Sequence, residues 1–147
     1  MSDSDLVKLY SGRILDLAAN IPHLGRLSAP QGTARKRSPL CGSTVTVDLT
    51  VSGGRIADFA QDVKACALGQ AAASVVGGAV IGATRDQVAQ ARTELEAMLK
   101  AGGPVPAAPF AGLEVLLRAR DYANRHASIL LSLEATLAGM DAAAAAA

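Results

Sequence analysis

Between residues 44 and 52 the chain alternates strictly between apolar and polar side chains, in the segment TVTVDLTVS. Valine or leucine at every second position predicts a strand with one buried face and one solvated face. The glycine turn SGG at 52–54 reverses the chain, and RIADFAQDV at 55–63 supplies an antiparallel partner strand. The hairpin indicates a small antiparallel sheet of about three strands, with the basic segment TARKR at 33–37 as the edge strand.

Helical segments flank this hairpin on both sides. The segment CALGQAAASVVGGAVIG at 66–82 is small and apolar nearly all round, which is typical of a helix buried against a sheet. The tetrapeptide TRDQ matches a capping box, with Thr84 as N-cap and Gln87 reaching back to the backbone, so a helix begins there. The other predicted helices span 4–21, with Ser4 as N-cap, 110–117, and about Asn124 to Gly139.

The length and composition of the chain fit one domain. Of its 147 residues half are hydrophobic, only 3% are aromatic, and none is tryptophan, so small aliphatic side chains build the core. Cores of this kind favour close packing of helices. We therefore expect a single α+β domain over residues 1–140, with helices packed on the sheet, and an alanine-rich tail at 141–147 that frays.

The charge pattern argues against several classes of partner. A net charge of +1 produces no global field that would attract nucleic acid or a membrane surface. The one basic run, RKR at 35–37, is interpreted as a solvated edge strand, with a docking patch as the alternative. The first twenty residues do not resemble a secretory signal, and no apolar run reaches the ~18 residues that cross a bilayer. We expect a cytoplasmic protein that binds neither nucleic acid nor membrane.

The two cysteines lie at predicted element boundaries. Cys41 lies in a Pro-Leu-Cys-Gly turn before the first hairpin strand, and Cys66 lies at the start of the buried helix. A helix N-terminus stabilises a thiolate, which is both a nucleophile and a soft metal ligand. Because one hairpin joins the two positions, the thiols are expected side by side. A Cys41–Cys66 disulfide is the alternative, although thiols of cytosolic proteins normally stay reduced.

His126 is a third chemical group of interest, in the first turn of the predicted last helix and on its apolar side. A lone histidine in that place is more often a core residue with one hydrogen bond than a ligand, so both interpretations stay open. A hydrolase would use Ser43 or Cys41 as nucleophile with His126 as base. The chain lacks the G-x-S-x-G elbow, an oxyanion loop and a phosphate-binding glycine motif. We therefore expect that the protein is not an enzyme.

The stretch PLCGSTVTVDLTVSGGRIADFAQDVKACALGQAAASVV resembles the core of the IscU/NifU-type iron–sulfur cluster scaffold family. That family has a Pro-x-Cys-Gly-Asp turn, a hairpin and then a cysteine at the start of a serine- and alanine-rich helix, in the same order. The segment 82–112 and GLEVLLRARDYANRHASILLSLEATL are similar to the SufU-like branch, so the resemblance covers about residues 5–138. It implies an IscU/SufU-like fold and a role in iron–sulfur cluster assembly. Cysteine desulfurase and other assembly proteins are the implied partners, and a second copy of the chain is a further candidate.

The resemblance also implies a ligand set. Carried over residue by residue, the family's site falls on Cys41, Cys66 and His126, with Ser43 at the aspartate position as a weak fourth ligand. The family's third cysteine corresponds to Ala127. Two thiolates and an imidazole suit zinc or iron, and a transient [2Fe–2S] cluster would need one more ligand from Ser43, a second protomer, a small thiol or a partner protein. The alternative is a degenerate family member that acts as an interaction or regulatory protein with at most a structural zinc.

Overall fold

The order of elements places a three-stranded sheet between one short helix and a mainly helical second half. The structure, a computed structural model, describes residues 11–39 and 42–146 of the chain. The elements are α1 (Gly12–Ala19), β1 (Gly32–Arg37), β2 (Thr44–Ser52), β3 (Arg55–Lys64), α2 (Ala67–Ala79), α3 (Arg85–Lys100), a 3₁₀ helix (Ala111–Asp121) and α4 (Ala123–Ala146).

The sheet is antiparallel throughout, with the strand order β1-β2-β3. Its register sets Leu49 of β2 between Gly32 of β1 and Phe59 of β3. The apolar and polar residues that alternate in the sequence of β2 lie on opposite faces of the sheet. Val45, Val47 and Leu49 are all fully buried on one face. The predicted hairpin, the edge strand formed by TARKR and the α+β class are confirmed.

The buried face of the sheet is covered by α4, which packs on β1 and β2, while α2 packs against α4 and α1 against α2. The contact between α4 and β1 is close because two glycines face each other. A Cβ atom at Gly32 would overlap the carbonyl oxygen of Gly139, and one at Gly139 would lie 3.2 Å from the side chain of Leu49. Small residues therefore let the longest helix lie directly on the sheet.

Most of the predicted helices are present with shifted ends. The capping box is confirmed: Gln87 N donates to Thr84 Oγ1 over 3.2 Å, and Thr84 N donates to Gln87 Oε1 over 2.9 Å. The segment predicted as a short helix at 110–117 is a longer 3₁₀ helix. Of the first predicted helix, the described part has Ser11 as its N-cap, and residues 4–10, with the predicted cap Ser4, lie outside the described residues.

The end of the last helix was predicted wrongly. It was expected near Gly139 but α4 continues to Ala146, and both Met140 and Ala143 are buried in the core. Alanine has the highest helix propensity, and Ala143 fits against the space left by Gly32. The division into a domain over 1–140 and a fraying tail stays a prediction.

The long apolar helix α4 is a core helix by its position. Among the described residues it is the one helix long and apolar enough to cross a membrane, with a mean hydropathy of 1.4, but 56% of that window is buried inside the protein. A helix that lies at the centre of a domain needs the same composition. Its apolar surface is therefore accounted for by the sheet and by α2 and α3.

Candidate functional site

Three element ends meet around the thiol of Cys66. Cys66 is the N-cap of α2, Ser128 lies in the second turn of α4, and Ser43 immediately precedes β2. The Cys66 Sγ and Ser128 Oγ atoms are 3.5 Å apart, and Ser128 Oγ donates a hydrogen bond to Ser43 Oγ over 3.0 Å. We call Cys66, Ser128 and Ser43 the hydroxyl–thiol cluster. It joins segments that are 62 and 85 residues apart in the sequence.

The two serines of the hydroxyl–thiol cluster are buried, and its cysteine is partly exposed. Ser128 and Ser43 are 1% and 5% exposed, whereas Cys66 is half-buried. Cys66 is a free thiol, so the structure does not contain the alternative Cys41–Cys66 disulfide. Its side chain makes no capping bond to the first turn of α2, and N–H groups at a helix N-terminus stabilise a negatively charged sulfur. The arrangement leaves the sulfur where a ligand or partner can reach it.

Gly69, one turn into α2, explains why α4 comes so close to Cys66. A Cβ atom at this position would lie 2.5 Å from Ser128 Oγ, 2.9 Å from Ala65 Cβ and 3.2 Å from the Ser128 carbonyl oxygen. Real side chains do not reach such distances without displacing a neighbour. The absence of a side chain at Gly69 is therefore what allows the Ser128 hydroxyl to contact the thiol.

The turn before β2 is closed by backbone hydrogen bonds. Ser38 N donates to the Ser43 carbonyl oxygen over 2.8 Å, and Gly42 N donates to the Ser38 carbonyl oxygen over 3.0 Å. Gly42 has φ +71°, a conformation that glycine adopts without strain. Cys41, the first predicted ligand, lies outside the described residues. The described part of the turn places Ser43 in contact with Ser128.

His126 is held by a different contact. Its imidazole is 4% exposed, and Nε2 lies 2.9 Å from the carbonyl oxygen of Ala119 in the 3₁₀ helix. Because a carbonyl oxygen only accepts, Nε2 carries the hydrogen in this bond, and the lone pair of the neutral ring is on Nδ1. His126 and Ser128 are two residues apart, which is about 200° around a helix, so their side chains leave α4 in different directions.

The structure thus brings together only part of the predicted ligand set. Cys66 and Ser43 meet through Ser128, while the hydrogen bond of His126 runs to the 3₁₀ helix. Among residues 11–39 and 42–146, no group of three or more His, Cys, Asp or Glu side chains is placed to hold a metal ion. The set of Cys41, Cys66 and His126 stays a prediction.

Ser128 is the site residue that sequence analysis missed. Ala127 was matched to the third ligand position, yet the next residue along α4 is the one that contacts Cys66. A signal was present, since Ser128, Ser132 and Thr136 recur every fourth residue within an apolar helix and all three are buried. Of the three hydroxyl groups only that of Ser128 contacts another segment, since Thr136 Oγ1 donates to the Ser132 carbonyl oxygen within α4 and Ser132 Oγ has no partner among the described residues, so the stripe alone could not single out Ser128.

A second polar centre lies on the opposite face of the sheet. The fully buried carboxylate of Asp48 accepts hydrogen bonds from Arg26 Nε and Nη2, at 2.6 and 3.1 Å, from Leu27 N at 3.1 Å and from Thr33 Oγ1 at 2.6 Å. The hydrogen bond from Arg26 holds the pKa of Asp48 below its ordinary value. This network holds the loop after α1 against the outer face of the sheet.

Known proteins similar to the chain were found by family and by structure. The family described as NifU-like N terminal domain matches residues 9–127. A NifU-like protein (N-terminal) from Brucella abortus has a crystal structure with a TM-score of 0.92 and 43% identity, covering 97% of this chain and 99% of that chain. No curated protein matches the chain.

Two more distant crystal structures share the fold. The first is a putative iron-sulfur cluster assembly scaffold protein for the SUF system from Fervidobacterium islandicum AW-1, with a TM-score of 0.76, 22% identity and coverage of 86% of this chain and 93% of that one. The second is a hypothetical protein with a TM-score of 0.78, 22% identity and coverage of 90% and 97%. At this level of identity the likeness concerns the fold alone.

Proposed function

Because the chain belongs to the NifU-like N-terminal domain family, as its sequence resemblance predicted, we propose that it is an iron–sulfur cluster assembly scaffold. In this role the protein holds iron and sulfur as cargo while a cluster forms, and it is not itself an enzyme. The observation that carries the proposal is the hydroxyl–thiol cluster, which joins the start of α2, the start of α4 and the turn next to Cys41.

Cys66 is the proposed first ligand. Its thiol is half-buried and stands at a helix N-terminus, a position that favours a metal-bound thiolate. A scaffold needs both properties, because bound iron or sulfur must be received from one protein and passed to another. The Ser128 hydroxyl can accept from the Cys66 thiol while its one O–H donates to Ser43, and it can donate to a thiolate only if that O–H turns from Ser43 to the sulfur.

Cys41 and His126 are the other two proposed ligands. Cys41 is two residues before Ser43 in the sequence and is proposed on the family resemblance of its Pro-Leu-Cys-Gly turn. His126 would bind through Nδ1, because metal-binding histidines usually donate the other ring N–H to a carbonyl oxygen, as Nε2 does to Ala119 here. Two thiolates and one imidazole suit iron or zinc.

The proposed set is one ligand short of a stable [2Fe–2S] cluster, which takes four. Ser43 is a weak candidate because it is buried and already accepts the hydrogen bond from Ser128. A small thiol, a second copy of the chain or a partner protein would supply the fourth. This requirement makes a transient cluster the expected cargo, with a cysteine desulfurase as sulfur donor and the cytoplasm as the compartment.

A second candidate function is a degenerate family member that has lost cluster assembly. It is favoured by Ser43 and Ala127 at positions where the family carries ligands, and by the buried hydrogen bond that holds His126 within the fold. Such a protein would act as an interaction or regulatory partner, with at most one structural zinc.

Anaerobic reconstitution tests the proposal. The protein is purified without oxygen, its metal content is measured, and iron and sulfide are then supplied while the visible absorption spectrum is recorded. We expect charge-transfer bands in the wild type that are lost in Cys41→Ala and Cys66→Ala. Ser132→Ala is the control for the effect of a buried substitution as such. It removes a hydroxyl group outside the cluster, one turn along α4 from Ser128, and should keep the bands.

Two results would reject the scaffold role. One tightly bound zinc without cluster uptake would support the degenerate member. Identical spectra for the wild type and both cysteine variants would remove these thiols from any metal chemistry.

A further inference from the structure

The outer face of the sheet carries a group of cations at the same end as Cys66. Arg37 of β1 pairs with Thr44 of β2, and Thr44 pairs with Lys64 of β3, so one row across the sheet has a cation on each side. Arg35 lies two residues from Arg37 and therefore on the same face. All three basic residues are exposed. We call Arg35, Arg37 and Lys64 the basic face.

The charge of the basic face is not neutralised within the described part of the chain. The ion pairs there involve Arg26, Arg85, Arg92 and Lys100, and none includes a residue of the basic face. Three carboxylates share this outer face. Asp48 is paired with Arg26, and Asp58 lies opposite Thr50 toward the far end, so of the three it is Asp62, opposite Thr46 in the next row, that lies beside the basic face. At this end of the sheet three cations therefore stand against one anion, although the whole chain carries only +1.

The basic face borders the hydroxyl–thiol cluster. Lys64 precedes Cys66 by two residues, and Arg37 Nη2 lies 3.8 Å from the position that a Cβ of Gly42 would occupy. The two cations thus flank the α2 start and the turn that leads to Ser43. Neighbouring strands are about 4.8 Å apart, so this row lies within about one Debye length of the site at physiological salt. A molecule that reaches Cys66 from the sheet side meets this positive potential.

We propose that the basic face is the docking surface for an acidic surface of the protein that donates sulfur to Cys66. This inference rests on the proposed function for its choice of partner, since a scaffold receives sulfur from another protein. Complementary charge at the rim of a docking site raises the rate of encounter and sets the orientation of the partner. Nucleic acid is a poorer match, because so few cations and a nearly neutral chain release few counterions from a phosphate backbone.

Protection of an edge strand is the other explanation for the charges of β1. Charged side chains on an edge discourage pairing with the edges of other sheets, and either sign of charge has this effect. Replacing arginine by glutamate therefore keeps the protection and reverses only the sign. A charge reversal thus separates docking from edge protection.

The test measures binding of a labelled cysteine desulfurase from the same organism by fluorescence anisotropy, at about 0.05 M and about 0.3 M salt. The variant is Arg35→Glu with Arg37→Glu. The control is Arg55→Glu, which reverses one charge instead of two and lies at the opposite end of the same sheet, about 30 Å along β3 from Lys64. We expect the double variant to bind at least about tenfold more weakly at low salt, the control to stay within about twofold, and high salt to reduce the difference.

The inference is overturned if the double variant binds like the wild type, if Arg55→Glu weakens binding equally, or if the wild type binds double-stranded DNA but not the desulfurase. Reconstitution with iron and sulfide needs no docking and tests the proposed function separately. Desulfurase binding that depends on the basic face, in a protein that takes up no cluster, would leave this inference standing and reject the scaffold role.

Discussion

Gly69 and Gly78 lie on the same helix, α2, and differ in what surrounds them. A Cβ at Gly69 would meet the side chain and the backbone of Ser128 and the side chain of Ala65, whereas at Gly78 nothing lies within 4 Å. Alanine at Gly69 must therefore push α4 away from α2 at the position of the hydroxyl–thiol cluster. Alanine at Gly78 only replaces a flexible residue by a good helix former.

The two substitutions should change the free energy of unfolding in opposite directions. Alanine in a helix is better than glycine by about 0.5–1 kcal/mol, which is the expected gain at Gly78. At Gly69 the same gain is outweighed by about 1–3 kcal/mol of overpacking and by about 1 kcal/mol for the lost bond from Ser128 to Ser43. The Gly69 variant is thus expected to be about 1–3 kcal/mol less stable than the wild type.

Urea and thermal unfolding followed by circular dichroism measure this difference. A gap of about 2–4 kcal/mol between the two variants corresponds to about 4–16 °C in Tm for a chain of this size. In a Cys41→Ala background, Cys66 should also react faster with a thiol reagent in the Gly69 variant, because Ser128 no longer lies against the sulfur. Equal stability of Gly69→Ala and Gly78→Ala would refute the close contact of α2 and α4 at this point.

Two further predictions concern the sheet and a helix start. Asp48→Asn should cost about 1.5–3 kcal/mol at neutral pH, because it removes the charged acceptor of four hydrogen bonds. Since the folded pKa of Asp48 is lowered, its contribution is present above about pH 4 and is lost as the pH falls through the folded pKa, so the gap to the wild type in urea unfolding should narrow in acid. A gap that is equal in acid and at neutral pH would contradict this. Thr84→Ala should lower the free energy of unfolding by about 1 kcal/mol and Thr84→Ser by much less, since the hydroxyl caps α3; equal losses would argue against the cap.

Local patterns in the sequence were sufficient to predict the sheet and the start of the capped helix α3. The alternation over 44–52 places Val45, Val47 and Leu49 on one face whatever lies above them, because the side-chain period of a strand is two. The capping box of Thr84 and Gln87 is closed within four residues. The order of these elements was also enough to indicate the family, which the match over residues 9–127 confirms.

The site itself depended on contacts between distant segments. Helical periodicity predicts which face of α4 is buried, but the position of Ser128 over Cys66 depends on how far α4 slides along α2 and how closely it approaches, which Gly69 permits. For the same reason Ala127 was chosen over Ser128, and the carbonyl of Ala119 was not foreseen as the partner of His126. The alanine-rich end of α4 looked like a tail because nothing local distinguishes an exposed alanine from one packed against Gly32.

The periodicity of apolar residues is a property of one segment and can be recognised from the sequence of that segment alone. The contact between a thiol and two hydroxyl groups belongs to three segments, and only their packing in the tertiary structure determines it.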